Sequence, residues 1–421
     1  MVSSKKVPLP RIVELAAIIT TSVDKLGQIL SDHHEPWPSF EEDAPVHLPK
    51  EASEFQGELL DATKELHDLL LEPLSLIYEN TSAINLASIQ AIGRFHIASM
   101  VPAGGQTSYD AIAKQIGLSE QMTRRLLRHA MTLHIFREPE PGFVGHTQTS
   151  RLLRDPENNA FLDWQPEVGW PSSLKLVDAL QRWPGSEEPD ETAFSLASPN
   201  GGSIYKIFSQ EPERALKFAG CMKVLGDLPE YNISHTVQGY DWAALGQAQV
   251  VDVGGSQGNL AIALAGRFPG LNLVVQDMKK VVEGAQDSVP LRLRSRVRLM
   301  AHDFFTPQTV HADVYVFRTI LHNWGDTYCV KILRALVPAL KPGTKILIND
   351  MCLPEPGSIP ANREVDLRCM DLNMGAYFNA QERDIHEWTS LLTKADPRFV
   401  ITGVTLPSGS ALAIIEAVWS W

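Results

Sequence analysis

The sequence predicts an α/β protein, a mostly parallel sheet sandwiched by helices behind a largely helical N-terminal region. Three observations predict it. Val250-Val251-Asp252-Val253 runs straight into the turn Gly254-Gly255-Ser256-Gln257-Gly258 and then into an apolar helical pattern from Asn259-Leu260. Further on, Leu273-Val274-Val275-Gln276 ends in Asp277, a carboxylate at the strand end where such sheets grip a ribose diol. Apolar strands then alternate with helical patterns, at 249–253, 272–276, 297–300, 313–317 and 345–349, before an antiparallel pair expected at 399–405 and 411–418.

The elements ahead of the sheet follow from periodicity and caps. Residues 11–32 place Ile12, Leu15, Ile18, Ile19, Val23, Leu26 and Leu30 on one side of a helix, and 33–50 read as a linker with Pro36, Pro38, Pro45 and Pro49 among acids. Helices expected at 53–79 and 82–99 would serve a subunit interface or cover the core. From Thr107 to Leu153 the pattern is helix, turn, helix, hairpin. Ser108 precedes a short helix ended by Gly117, Ser119 with Met122 three residues on starts a second one, and 136–145 reads as a β-hairpin. That is a winged helix. Arg124, Arg125 and Arg128 on its second helix would suit DNA, whereas the acidity of the whole chain favours packing and dimerisation. Residues 157–242 are helical in pattern, with loops at 183–189 and 198–202. The expected division is a helical and winged-helix dimerisation domain at 1–160 and a catalytic domain with a helical pocket segment at 161–421.

Composition excludes several function classes. The 421 residues are 44% hydrophobic and 21% charged, as in an ordinary soluble protein of two or three domains. A net charge of -13 repels nucleic acid and anionic membranes, which leaves small molecules and a second copy of the chain as expected partners. The four cysteines show no C-x-x-C spacing, and no His/Asp/Glu group has metal-ligand spacing, so no metal is expected and a reducing cytoplasm fits best. Lys5 and Lys6 precede an apolar run that Glu14 and Asp24 interrupt, with no cleavage site after it; no signal peptide or membrane span is expected.

The glycine turn has three readings. As G-x-S-x-G it would be a nucleophile elbow, with Asp350 and His386 completing a triad, but that ignores Asp277 and lacks an oxyanion-hole glycine cluster upstream. As a dinucleotide fingerprint it lacks the third glycine, because Ala261 stands there, which favours a ligand with no pyrophosphate, such as an adenosyl group. A purely structural turn is the third. Downstream, Asp303-Phe304 at the end of the third strand could take an adenine amino group and stack its ring. His322, just past the fourth strand and beside Trp324, could act as a base, with Asp350 and Glu382 as carboxylates able to orient it.

These stretches, VVDVGGSQGNLAIALA, VVQD, AHDFFTP, RTILHNW, INDMCLPEPG and FNAQER, together resemble the S-adenosylmethionine-dependent O-methyltransferases of the plant caffeate type and their fungal secondary-metabolism relatives. The resemblance covers roughly residues 60 to 421. It implies a Rossmann-like methyltransferase domain behind the winged-helix domain, S-adenosyl-L-methionine as cofactor and a homodimer. It also implies roles. Gly254 approaches the methionine part, Asp277 takes the ribose hydroxyls, Asp303 and Phe304 border the adenine, and Arg318 stands where the family usually has lysine. Phe218, Met222, Asn323, Trp324 and Met374 are implied or expected around the acceptor, and His322 matches the catalytic base between Asp350 and Glu382. The reaction implied is methylation of a phenolic or polyketide-derived hydroxyl. The alternative is a methyltransferase-like pericyclase, which some fungal relatives are, steering dehydration or cycloaddition of a polyketide–amino acid intermediate without methyl transfer. Asn323 replaces the aspartate usual after the histidine, from which either a weaker base or a different use of the site is expected.

Overall fold

The computed structural model describes residues 9–420, so Lys5 and Lys6 lie outside the described residues. The seven strands of the main sheet are β1 (Ala248–Val253), β2 (Leu271–Asp277), β3 (Val297–Ala301), β4 (Val314–Arg318), β5 (Lys345–Asn349), β6 (Phe399–Thr405) and β7 (Ile414–Trp419). They lie in the order β6-β7-β5-β4-β1-β2-β3. β1 to β5 are parallel, while β7 runs antiparallel to both β5 and β6. This is the Rossmann-like architecture, closed by the expected antiparallel pair.

The apolar runs become strands because both faces of the sheet are covered. Period-2 alternation then sorts each run into two cores. Val251, Val253, Tyr315, Phe317, Ile346 and Ile348 face one core, with Ile332 and Leu333 of helix Asp326–Leu336 and Trp388 and Leu391 of helix Ile385–Ala395. Val250, Val314, Val316, Leu347, Leu273 and Val275 face the other, with Leu260 and Leu264 of helix Asn259–Arg267. Strand order reverses at β1, whose neighbours are β2 and β4. In open parallel sheets ligands bind outside the carboxyl ends of the strands at such a reversal.

By backbone contacts the chain forms two compact units, residues 1–167 with 356–366, and residues 168–355 with 367–421. Segment 356–366, from within the second expected domain, is held in the first unit by Arg363, whose guanidinium meets Asp61 at 2.6 Å. In that unit helix Arg11–His33 buries Leu26 and Leu30 with Ala52, and Arg11 forks onto Glu65 at 2.6 Å. The expected helix at 53–79 is two, Ser53–Leu70 and Pro73–Thr81, because Pro73 has no N–H to continue the first and suits the first turn of the second. The expected helix at 82–99 also breaks, into Asn85–Arg94 and Ile97–Met100, at His96 with φ 50°.

The winged helix is present, with one correction to its wing. Strand Phe143–Gly145 pairs antiparallel with Gln106–Ser108, ahead of the two helices, and the expected hairpin is reduced to a bridge between Arg137 and Gly145. Ser108 caps helix Tyr109–Ile116 by accepting from Ala111 N at 3.2 Å, and Gly117 ends it at φ 72°. Ser119 accepts from Met122 N at 3.2 Å to start helix Glu120–Thr132. Arg124 and Arg128 on that helix meet Glu120 and Glu138, both at 2.8 Å. Ser119→Ala removes the cap and should lower unfolding stability by about 1 kcal/mol, measured by chemical denaturation.

Candidate active site

Each strand of the parallel part delivers a chemically useful residue at its carboxyl end: Gly254 after β1, Asp277 closing β2, Asp303 after β3, Arg318 closing β4 with His322 beyond it, and Asp350 after β5. The topology alone gathers them on one edge.

The glycine turn is built by sterics. Gly254 sits at φ 71°, and a Cβ there would lie 2.4 Å from Ile320 Cδ1, so the loops leaving β1 and β4 touch. A Cβ on Gly255 would lie 2.5 Å from the Asp252 carboxylate. Gln276 O accepts from both Gly254 N and Gly255 N, at 2.8 and 3.2 Å. Asp277 accepts from Ser256 N at 2.9 Å and from Met278 N at 2.7 Å, which stations its carboxylate across the turn. The nucleophile-elbow reading has no triad to support it. His386 is exposed beside Glu355, and Asp350 is buried next to a different histidine.

Asp252 and Arg318, at the ends of neighbouring strands, are a pair that the sequence reading did not see. Burial pushes the Asp252 carboxyl up to about 7, against the pull of Arg318. Burial likewise holds the Arg318 guanidinium below its ordinary value. Asp252 Oδ2 and Arg318 Nε are both buried without a hydrogen-bond partner among the described residues.

His322 lies in the 3-10 turn Leu321–Asn323. Its Nδ1 meets Glu382 Oε1 at 2.8 Å, and its backbone N donates to Asp350 Oδ2 at 3.3 Å. Both carboxylates are buried, and among the described residues Asp350 Oδ1 and Glu382 Oε2 have no hydrogen-bond partner. Burial by itself would push the imidazole down, but the charges of Asp350 and Glu382, with the Glu382 hydrogen bond, outweigh it and push it up to about 9; Arg383 opposes them. Burial pushes Asp350 up to about 6, against the pull of His322. The three predicted residues thus form one coupled cluster. Asn323 turns its amide to Thr319 O at 3.0 Å, and Asp350 and Glu382 supply the negative charge.

Asp303 is exposed and accepts from Phe305 N at 3.0 Å. Phe304 sets its edge against Phe305 and Trp324, at 5.0 and 6.0 Å between ring centroids. Trp324 is the centre of an aromatic group, stacked on Tyr205 at 5.4 Å and edge-on to Phe305 at 4.9 Å. Tyr205, itself 5.8 Å from Phe378, was missed by sequence reasoning because nothing in its local pattern distinguishes it. Phe218 and the exposed Met222 lie on helix Pro212–Asp227, Phe218 packing on Phe208 at 5.0 Å, and Met374 is buried on helix Ala361–Phe378. Among the described residues no group of three or more His, Cys, Asp or Glu side chains could hold a metal ion, and no helix is long and apolar enough to cross a membrane.

Comparison with known proteins agrees with this architecture. Residues 179–397 match the O-methyltransferase domain, and residues 83–155 match the O-methyltransferase dimerisation domain, which supports a homodimer. The chain is 45% identical to O-methyltransferase PaMT of Phomopsis amygdali, over 97% of this chain and 97% of that one. In fold it is similar to a solved pericyclic reaction enzyme, at 22% identity and a TM-score of 0.73 over 97% of this chain and 100% of that one. It is similar, too, to LepI solved in complex with SAM, at 21% identity and a TM-score of 0.73 over 96% and 100% of the two chains.

The charge cluster carries a pH signature. A histidine raised to about 9 on folding stabilises the protein fully below its ordinary value near 6.5, and that contribution is lost as pH rises through about 9. The stability difference between the parent and His322→Gln should therefore shrink between about pH 6.5 and pH 9, followed by chemical denaturation across that range.

Proposed function

The chain belongs to the O-methyltransferase family, and from that premise we propose that it transfers a methyl group from S-adenosyl-L-methionine to a phenolic or polyketide-derived hydroxyl of a secondary metabolite, with His322 as general base. The observation that carries this reading is the imidazole of His322 held 2.8 Å from the buried Glu382 beside Asp350, at the edge where the sheet binds ligands.

The residues present fit the cofactor. The half-buried Asp277 would take the ribose hydroxyls, the Gly254 turn would approach the methionine part, and Asp303 and Phe304 would border the adenine, with Arg318 near it. Asp252 Oδ2 and Arg318 Nε, buried without a hydrogen-bond partner among the described residues, would offer the cofactor an acceptor and a donor. S-adenosylmethionine, when bound, supplies a methyl group already activated as an electrophile.

The chain's own residues supply a base and a position. Nδ1–H donating to Glu382 leaves Nε2 as the acceptor of the substrate proton. A phenol titrates near 10, so passing its proton to an imidazole raised to about 9 costs about one pK unit, roughly 1.4 kcal/mol, whereas an ordinary histidine would add several kcal/mol. An aliphatic hydroxyl, almost as weak an acid as water, is beyond even this base. Trp324 with Phe218, Met222, Asn323 and Met374 would line the acceptor, and flat aromatic rings suit such a wall. Alignment of acceptor and methyl supplies most of the remaining acceleration. Partners are a small-molecule acceptor and a second copy of the chain, with no nucleic acid or membrane, in the cytoplasm.

The pericyclase alternative rests on likeness of fold at 22% identity, against 45% identity to a methyltransferase over nearly the whole chain. Incubation with methyl-labelled S-adenosylmethionine and a panel of phenolic polyketides separates the two. Label entering a small molecule is expected; a new unlabelled isomer with the cofactor unconsumed would overturn the reading. Turnover should rise with pH to a plateau above about 9, as neutral His322 accumulates. His322→Gln should lower turnover by about 100-fold or more while leaving the cofactor Kd near the parent's, checked by single-turnover kinetics and calorimetry. Asp277→Ala should weaken cofactor binding by about 10- to 100-fold by the same calorimetry.

A further inference from the structure

Arg383 is fully buried, and a buried guanidinium is tolerated only where its donors are met. Its Nε and Nη2 meet Asp326 Oδ1 at 3.2 and 3.0 Å. Nη2 also donates to Trp324 O at 3.0 Å, and Nη1 reaches Leu321 O and Gln381 O, both at 3.4 Å. The guanidinium lies 5.2 Å from the Trp388 ring, in the apolar core. Leu321 and Trp324 bracket His322 and Asn323, and Arg383 directly follows Glu382 in the chain. One side chain therefore ties the segment that carries the base to the segment that carries its acid.

We propose that Arg383 is a positioning residue, whose planar fork sets the spacing of His322 and Glu382 by holding the carbonyls on either side of the base and whose charge balances the buried carboxylates around it. The inference rests on the reading of His322 as the base. A lysine could supply the charge but not the fork, since it cannot present parallel N–H groups to a carboxylate and two carbonyls at once. Glu382 is held from a second direction by its own N–H, which donates to Asp371 Oδ1 at 2.9 Å. The charged groups facing the imidazole are Asp350, Glu382 and Arg383; Asp326 faces Arg383 and is shared with Lys394 at 2.9 Å. Loss of the Arg383 charge leaves the carboxylates less balanced, which moves the imidazole titration to higher pH.

The test compares Arg383→Met and Arg383→Lys in the full-length chain by two readouts, the pH dependence of kcat and the NMR titration of the His322 imidazole. Arg383→Met should lower kcat by about 100-fold, with the cofactor Kd near the parent's, and should move both titrations to higher pH. Arg383→Lys should bring the titrations back toward the parent's while kcat stays about 10-fold down, because the carbonyl contacts are not restored. A folded Arg383→Met with the parent's kcat and imidazole titration would overturn the proposal. If Arg383→Met does not fold, Arg383→Lys decides: a parent kcat overturns it, and a lowered kcat at an unchanged Tm supports it. Failure of the base reading is separable, since His322→Gln would then keep its turnover while the imidazole titration still reports on Arg383.

Discussion

The short contact between His322 and Glu382, with Asp350 buried beside them, is the constraint around which the second unit is organised. Two carboxylates and an imidazole removed from water are costly to keep charged unless the cation stands close against the anions. The protein meets that condition with backbone: β4 and β5 are adjacent and parallel, so the residues following them emerge side by side. His322 N then reaches Asp350, and Glu382 arrives from the segment that Arg383 anchors. The charges of Asp350 and Glu382 hold the imidazole toward its charged form, which is what the proposed role as base depends on.

The cofactor side of the proposed site obeys the same logic of strand ends. β1 and β2 place the glycine turn and Asp277 next to each other, and Ser256 N joins them. The buried Asp252 and Arg318 are the counterpart of the His322 cluster, two ionisable groups each with a polar atom that has no hydrogen-bond partner among the described residues. The sheet thus ends in two polar clusters with Gly254 and Ile320 in contact, which is the arrangement the proposed reaction would use.

Most of the architecture was legible because it is written in local pattern. Unbroken Val/Ile/Leu runs mark strands covered on both faces, and Ser108, Gly117 and Ser119 punctuate the winged helix as caps must. What was not legible depends on contacts between distant segments. The wing pairs with residues 106–108 rather than folding back on itself, and no hydrophobic pattern could have told those two short strands apart. The break at Pro73 was written in the sequence but overridden by the helical periodicity around it. Among site residues, His322, Asp350 and Glu382 are brought together as a group. Arg383 and Asp252 were visible only as members of FNAQER and VVDVGG, because their importance lies in what they are buried against. That Asn323 turns its amide to Thr319 O was likewise not legible, since the partner is a backbone carbonyl placed by the turn.

The charged state of the imidazole tests the account most directly. NMR titration of the His322 ring nitrogens in the unmodified protein, from about pH 5 to pH 10, should give a midpoint near 9, with Nδ1 retaining its proton throughout because Glu382 accepts it. A midpoint at or below the ordinary histidine value near 6.5 would contradict the account, for it would mean that burial outweighs the two carboxylates and that His322 is not the strong base the reaction requires.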